Sequence, residues 1–211
     1  MSANKNSVIP RLAASMERRD EAPNIKLAQE LAKSKNHDAI AELVDLAKSA
    51  TKPIRYNAIK TLYEMGKLEP KLLVPHADPL IDLLKDKDNR ILWGTIQALD
   101  IITDINAEFV AQNLNKILDA ADRSSVVAKD RIMSILSKLN ADPRFSTNVT
   151  PVLLTRLTHA APNQFPMYAE LAAATMPQTH TEELAKIIKN RQKSIASQAK
   201  QKRLNKLLKN L

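Results

Sequence analysis

The stretches PIRYNAIKTLYEM (residues 53–65) and KDKDNRILWGTIQALDII (residues 85–102) carry the same kind of amphipathic pattern, with Arg90 falling 35 residues after Arg55. In the first, Ile54, Ala58, Ile59 and Leu62 recur at three-to-four spacing and share one stripe of a helix. Another amphipathic segment, AIAELVDLA, and a short turn, SATK, come just before it. A third copy, DRSSVVAKDRIMSILSKL, keeps Val127, Ile132 and Ile135 in register but has Ala128 where the arginine would fall, and a fourth, PNQFPMYAELAAATM, is degenerate. One helix pair cannot cover its own apolar face. A chain that repeats such pairs must stack them into a continuous core.

Composition agrees with helices throughout. Only Gly66 and Gly94 are available in 211 residues for left-handed turns, and seven aromatics leave the core to Leu, Ile and Ala, whose ridges interlock between helices. Prolines punctuate the pattern at helix starts, where a missing N–H has no intrahelical partner to lose. Pro10, Pro23, Pro53, Pro70, Pro79, Pro151 and Pro166 each precede apolar residues at helical spacing, with Asp78 and Thr150 as expected N-caps for Pro79 and Pro151. Helices are expected over 9–18, 23–35, 38–49, 53–65, 70–85, 89–103, 107–121, 125–139, 151–160, 166–176 and 180–210. Pro75 and Pro79 should bend or break the fifth.

The second helix of the clearest unit resembles the B helix of HEAT repeats: Pro53, Ile54, Arg55 and Ala58 match the family's proline or aspartate, aliphatic, arginine and alanine positions. The resemblance covers most of residues 23–176. It implies an all-α fold, a right-handed α-α superhelix of about five helix pairs, with an armadillo-like array as the close structural alternative. It also implies a binding scaffold whose B helices line a concave face for a protein partner. In such proteins an arginine at this position usually pairs with an aspartate in the adjoining turn, so Asp86 or Asp88 is the expected partner. The other reading sends Arg55 and Arg90 into the groove toward acidic groups, with Lys52, Lys60 and Lys129 nearby.

Catalytic patterns are missing. No cysteine is present, which excludes disulfides, thiolate metal sites and cysteine nucleophiles. His37, His76, His159 and His180 stand apart, without the i, i+4 pairing of a helix-borne metal site. No glycine-rich phosphate loop can be built from Gly66 and Gly94, and Glu182 and Glu183 read as a helix start with Thr179 and Glu182 at capping-box spacing. HEAT-like DNA glycosylases of the alkylation-repair family carry a tryptophan-lined cleft and an aspartate. Here Trp93 is the sole tryptophan and Gln97 stands one turn on, so the match fails at its key residues. Trp93 beside Gly94 reads as a space-filling residue between closely approaching B helices. Neither enzyme activity nor a cofactor is expected.

Charge divides the chain in two. Residues 180–211 hold nine Lys or Arg against two Glu, +7 of the total +9. We therefore expect a repeat domain over 1–179 and a basic C-terminal helix over 180–211, docked as a cap by Leu184, Ile187, Ile188, Ile195, Leu204, Leu207, Leu208 and Leu211. Lys193, Lys200, Lys202, Arg203 and Lys206 of this helix are candidate contacts to an acidic partner or a phosphate backbone. Sequence-tolerant DNA or RNA binding is thus the alternative to a protein partner. No apolar run reaches the length of a signal peptide or a membrane span, so a cytoplasmic location is expected.

Overall fold

The computed structural model of the chain describes residues 7–211, which form twelve α-helices joined by short 3-10 turns, with no strand among them. They fall into two compact units, Met1–Lys129 and Asp130–Leu211.

In the first unit two 3-10 turns, Ile9–Arg11 and Ala13–Met16, stand where one helix is expected over 9–18. They are followed by α1 (Ala22–Ser34), α2 (His37–Ser49) and α3 (Lys52–Leu68). Two more 3-10 turns lead into α4 (Ala77–Leu83), and α5 (Asn89–Thr103), α6 (Ala107–Gln112) and α7 (Leu114–Asp122) complete the unit. Pro75 and Pro79 break the 70–85 segment as expected, but Asp78 lies inside the first turn of α4 and does not cap it. The 107–121 segment is two helices parted at Asn113, whose Nδ2 donates to the Phe109 carbonyl at 3.0 Å.

Helices α1, α3 and α5 pack side by side as one row, with α2 against α3, and α4, α6 and α7 against α5. The interface is aliphatic. Leu27, Leu31, Ile40, Leu43, Ala58, Ile59, Leu62, Met65, Ile91, Ile96 and Leu99 are all buried. Glycine is required where α5 crosses α3, because a Cβ on Gly94 would stand 2.8 Å from Ile59 Cγ1. Helix starts are satisfied by side chains: Asn36 Oδ1 accepts from Ala39 N and Asp88 Oδ1 from Arg90 N. With glycine so scarce, Lys35 adopts the left-handed conformation at the C-cap of α1.

The second unit holds most of α8 (Val126–Asn140), followed by α9 (Pro143–Thr158), α10 (Phe165–Ala173), α11 (Thr181–Gln192) and α12 (Gln198–Lys209). Here α9 packs on α10, α11 on both, and α12 on α10 and α11. Two expectations change. Pro151 does not begin a helix but lies inside α9, which starts at Pro143 under an Asp142 cap. Thr150 is buried and donates to Asn140 Oδ1 at 2.7 Å instead of capping.

The expected single helix over 180–210 is a hairpin of α11 and α12. Ile195 turns into the core between them, and Ser197 Oγ caps the second helix. Leu184, Ile188 and Leu204 are the buried anchors, whereas Leu207 and Leu208 stay half-buried. The capping box at Thr179 and Glu182 does not form, because His180 occupies the N-cap and Thr179 Oγ1 bonds its ring.

Candidate functional site

The apolar stripe of α3 faces the core, so the complementary stripe, Tyr56, Lys60, Glu64 and Lys67, runs along the other side of the helix, with Tyr63 among them but buried. On α5 the corresponding positions are Arg90 and Trp93. Their side chains form one connected set. The Tyr56 hydroxyl donates to Asp88 Oδ2 at 2.6 Å, the Arg90 guanidinium lies 4.8 Å over the Tyr56 ring, and Arg90 Nη2 bonds Glu21 Oε1 at 2.9 Å.

Lys60 Nζ stands 2.9 Å from Glu21 and 2.8 Å from Glu64, with the Tyr63 ring beside it. Burial alone would lower the Lys60 pKa, but hydrogen bonds to Glu64 and Glu21 hold it above the ordinary lysine value. Glu64 is the converse. Burial would raise it, while Lys60 and Lys67 keep its carboxyl below the usual range.

Trp93 is half-buried, and its ring packs tilted against Tyr63 with centroids 5.6 Å apart. It does fill space between the two B helices, yet part of the indole remains open to solvent among these charged groups.

Lys52 is exposed, 3.2 Å from Asp88 and over the Tyr56 ring. Arg55 is an internal tie. Its guanidinium pairs with Asp86 and its Nε donates to the Ala47 carbonyl at 2.9 Å, as in the aspartate-pairing reading of the sequence. Arg90 does not repeat that pairing. Arg55 is the fourth residue of α3 and Arg90 the second of α5, and two residues are about 200° of helix rotation. The two arginines therefore point to different sides, and the structural repeat runs 37 residues, from cap Thr51 to cap Asp88. Lys129 is exposed on α8.

In the second unit Lys200 Nζ bonds Asn163 Oδ1 at 2.7 Å and Arg203 forms a two-pronged pair with Glu170, while Lys193, Lys202 and Lys206 are exposed. Arg191, which the sequence did not single out, bonds the Ala160 carbonyl at 2.6 Å and the Thr158 carbonyl, with its guanidinium 5.1 Å over the Phe165 ring. Glu21, Tyr56, Tyr63 and Glu64 also escaped the sequence reading. For Tyr56, Tyr63 and Glu64 the signal was the stripe of α3 opposite Ala58, Ile59 and Leu62, whereas Glu21, at the start of α1, had no local signal.

No group of three or more potential metal ligands occurs among the described residues, and none of their helices is long and apolar enough to cross a membrane.

The all-α array of helices has the fold of a solenoid of the armadillo/HEAT-like kind. Solved structures share it. A designed armadillo repeat protein, YIII(Dq)4CqI, superposes with a TM-score of 0.66 at 16% identity, covering 95% of this chain and 98% of that one. A computationally designed armadillo repeat protein for modular peptide recognition gives 0.67 at 16% identity. A third designed armadillo repeat protein, in complex with the peptide (KR)4, gives 0.67 at 15% identity; both have the same coverage as the first. The sequence matches no family model and no curated protein.

Proposed function

We propose that the chain is a non-enzymatic scaffold that holds a segment of another protein against the outer face of α1, α3 and α5. The observation that carries this reading is Trp93, a partly exposed indole packed against Tyr63 and flanked by side chains already fixed in internal pairs. Aromatic anchors of this kind dominate binding energies at protein interfaces, and a pre-ordered surface loses little conformational entropy on binding. Charges alternate on this face, Glu21 and Glu64 against Lys60 and Arg90. That mixture suits a polypeptide better than a polyphosphate. The peptide bound to a designed armadillo neighbour is in keeping with such a role.

Trp93 is the chain's only tryptophan, so its emission reports directly on this face. Peptides selected from a random library against the full chain should shift that emission. Trp93→Ala should weaken them at least 10-fold while changing the melting temperature by only a few degrees. Selected peptides that bind the Trp93→Ala and Lys60→Ala variants as tightly as the parent would remove the proposal.

The phosphate-binding alternative loses its groove arginines, since Arg55 and Arg90 are engaged internally. Only the C-terminal cations keep it open.

A further inference from the structure

The nine cations of the C-terminal hairpin separate into two groups. Arg191, Lys200 and Arg203 hold the hairpin to its own unit through the Thr158 and Ala160 carbonyls, Asn163 and Glu170. The other six, Lys186, Lys189, Lys193, Lys202, Lys206 and Lys209, are all exposed, and none has an acceptor among the described residues. Residues 130–211 carry 13 Lys or Arg against 5 Asp or Glu, so nearly all of the chain's +9 resides in this unit.

The six lysines share one face. At about 100° per residue, Lys186, Lys189 and Lys193 lie on the side of α11 away from buried Leu184 and Ile188. Lys202, Lys206 and Lys209 lie on the side of α12 away from buried Leu204. Gln192 Nε2 donates to the Gln201 carbonyl at 3.2 Å and to Asn205 Oδ1 at 2.8 Å, which marks the flank where the two helices meet. Moving around either helix from its buried side across that shared flank, the lysines come next. Both rows therefore emerge on the solvent side of the hairpin.

Each row spans eight residues, about 10 Å of helix, and packed helices stand about 8–10 Å apart. Six positive charges thus occupy a patch about 10 Å on a side. Duplex DNA carries one phosphate per about 1.7 Å of axis, or about six phosphates in the same 10 Å. The face has no aromatic residue to stack on bases or to enter a lipid interface. Glu182, at the start of α11, lines a hollow of about 310 Å³ with Lys186 and Lys189.

We propose that this six-lysine face of the α11–α12 hairpin binds the phosphate backbone of duplex nucleic acid without reading its sequence. The proposal concerns different residues from the Trp93 surface and stands or falls separately from it.

Full-length protein is titrated into fluorescently labelled 25-base-pair DNA duplexes of two unrelated sequences, and anisotropy is read between 50 and 200 mM salt. Both duplexes should bind equally. Six contacts give a slope of log affinity against log salt of about −5, an approximately 1000-fold loss across that range. Changing the six lysines to Gln should remove most of the binding at 50 mM salt and flatten the slope. Changing the same six to Arg should retain it. Circular dichroism melting checks that both variants fold, as expected for substitutions at exposed positions, and Lys26, Lys33, Lys48, Lys71, Lys87 and Lys129, six exposed lysines of the first unit, changed together to Gln serve as the control for net charge.

The proposal is overturned if the parent does not bind duplex at 50 mM salt or if the six-Gln variant binds as the parent does. It is also overturned if the control loses as much affinity as the six-Gln variant. Preference for phosphatidylserine vesicles over duplex at equal phosphate, or displacement of duplex by polyglutamate at equal charge, would assign the face to a membrane or an acidic protein and likewise overturn it.

Discussion

Arg55 reaches Asp86 in the turn before α5 while its Nε bonds the Ala47 carbonyl near the end of α2. One guanidinium thereby fastens three elements of the first unit, and both side chains are about four-fifths buried, at 18% and 21% exposure. The Arg90–Glu21 pair is twice as open, at 43% and 41%. Burial should separate the two in energy.

Arg55→Met should cost about 1.5–3 kcal/mol, because it leaves Asp86 short of a charged hydrogen bond in a poorly solvated place. Arg90→Met should cost under about 1 kcal/mol. Urea unfolding of the singles and of the Arg55→Met/Asp86→Leu double provides the check. A coupling energy for Arg55 and Asp86 no larger than that for Arg90 and Glu21 would contradict the assignment.

Gly94 offers a substitution whose sign depends on a neighbour. Gly94→Ala should destabilise by about 1–3 kcal/mol, since its Cβ would press on Ile59. In an Ile59→Ala background the obstructing atoms are gone, and the same change should be neutral or stabilising by up to about 1 kcal/mol through helix propensity. Thermal melting of the four proteins reads this directly. Equal destabilisation in both backgrounds would mean that the contact is not the reason for glycine.

Asn140 is buried and closes a network in the second unit: Thr150 donates to its Oδ1 at 2.7 Å, and its Nδ2 donates to the Thr175 carbonyl at 2.8 Å. Asn140→Leu conserves volume but strands a hydroxyl and a carbonyl. A loss of about 2–4 kcal/mol is expected. Urea midpoints measure it, and a stable Leu variant would show that water reaches the site.

His76 has a buried Nε2 with no hydrogen-bond partner among the described residues. Burial, then the charges of His37 and Lys48 against the opposing Asp45, lower its pKa below the ordinary 6.5. The unfolded chain then binds the proton more readily than the native one. Stability from this group is complete above about pH 6.5 and declines as pH falls from there toward the depressed native value. His76→Leu should flatten melting temperature between pH 7 and 5.5. An unchanged slope in that variant would place the titrating group elsewhere.

The helices α1, α2, α3 and α5 could be read within a residue or a few from periodicity and proline, because a helix face is encoded by residues three and four apart and needs no distant partner. Ala58, Ile59 and Leu62 were legible as core for the same reason. The Arg55–Asp86 tie was legible through the HEAT resemblance, which linked an arginine to the next acidic turn.

What failed were local signals that tertiary packing overrode. Pro151 looked like a helix start, yet α9 runs through it from the Asp142 cap. Ile195 was expected as one apolar anchor along a single long helix, and it is instead the residue buried where the chain turns between α11 and α12. Arg90 shared a spacing with Arg55 but sits two places out of register, and its partner Glu21 lies 69 residues away.

The sequence by itself determined helix content, the repeating apolar stripes and the concentration of positive charge near the C-terminus, all of them properties of short windows. Only the tertiary structure decided which cations are held by internal partners and which face solvent, because that depends on carboxylates and carbonyls more than 30 residues away being carried to within hydrogen-bonding distance.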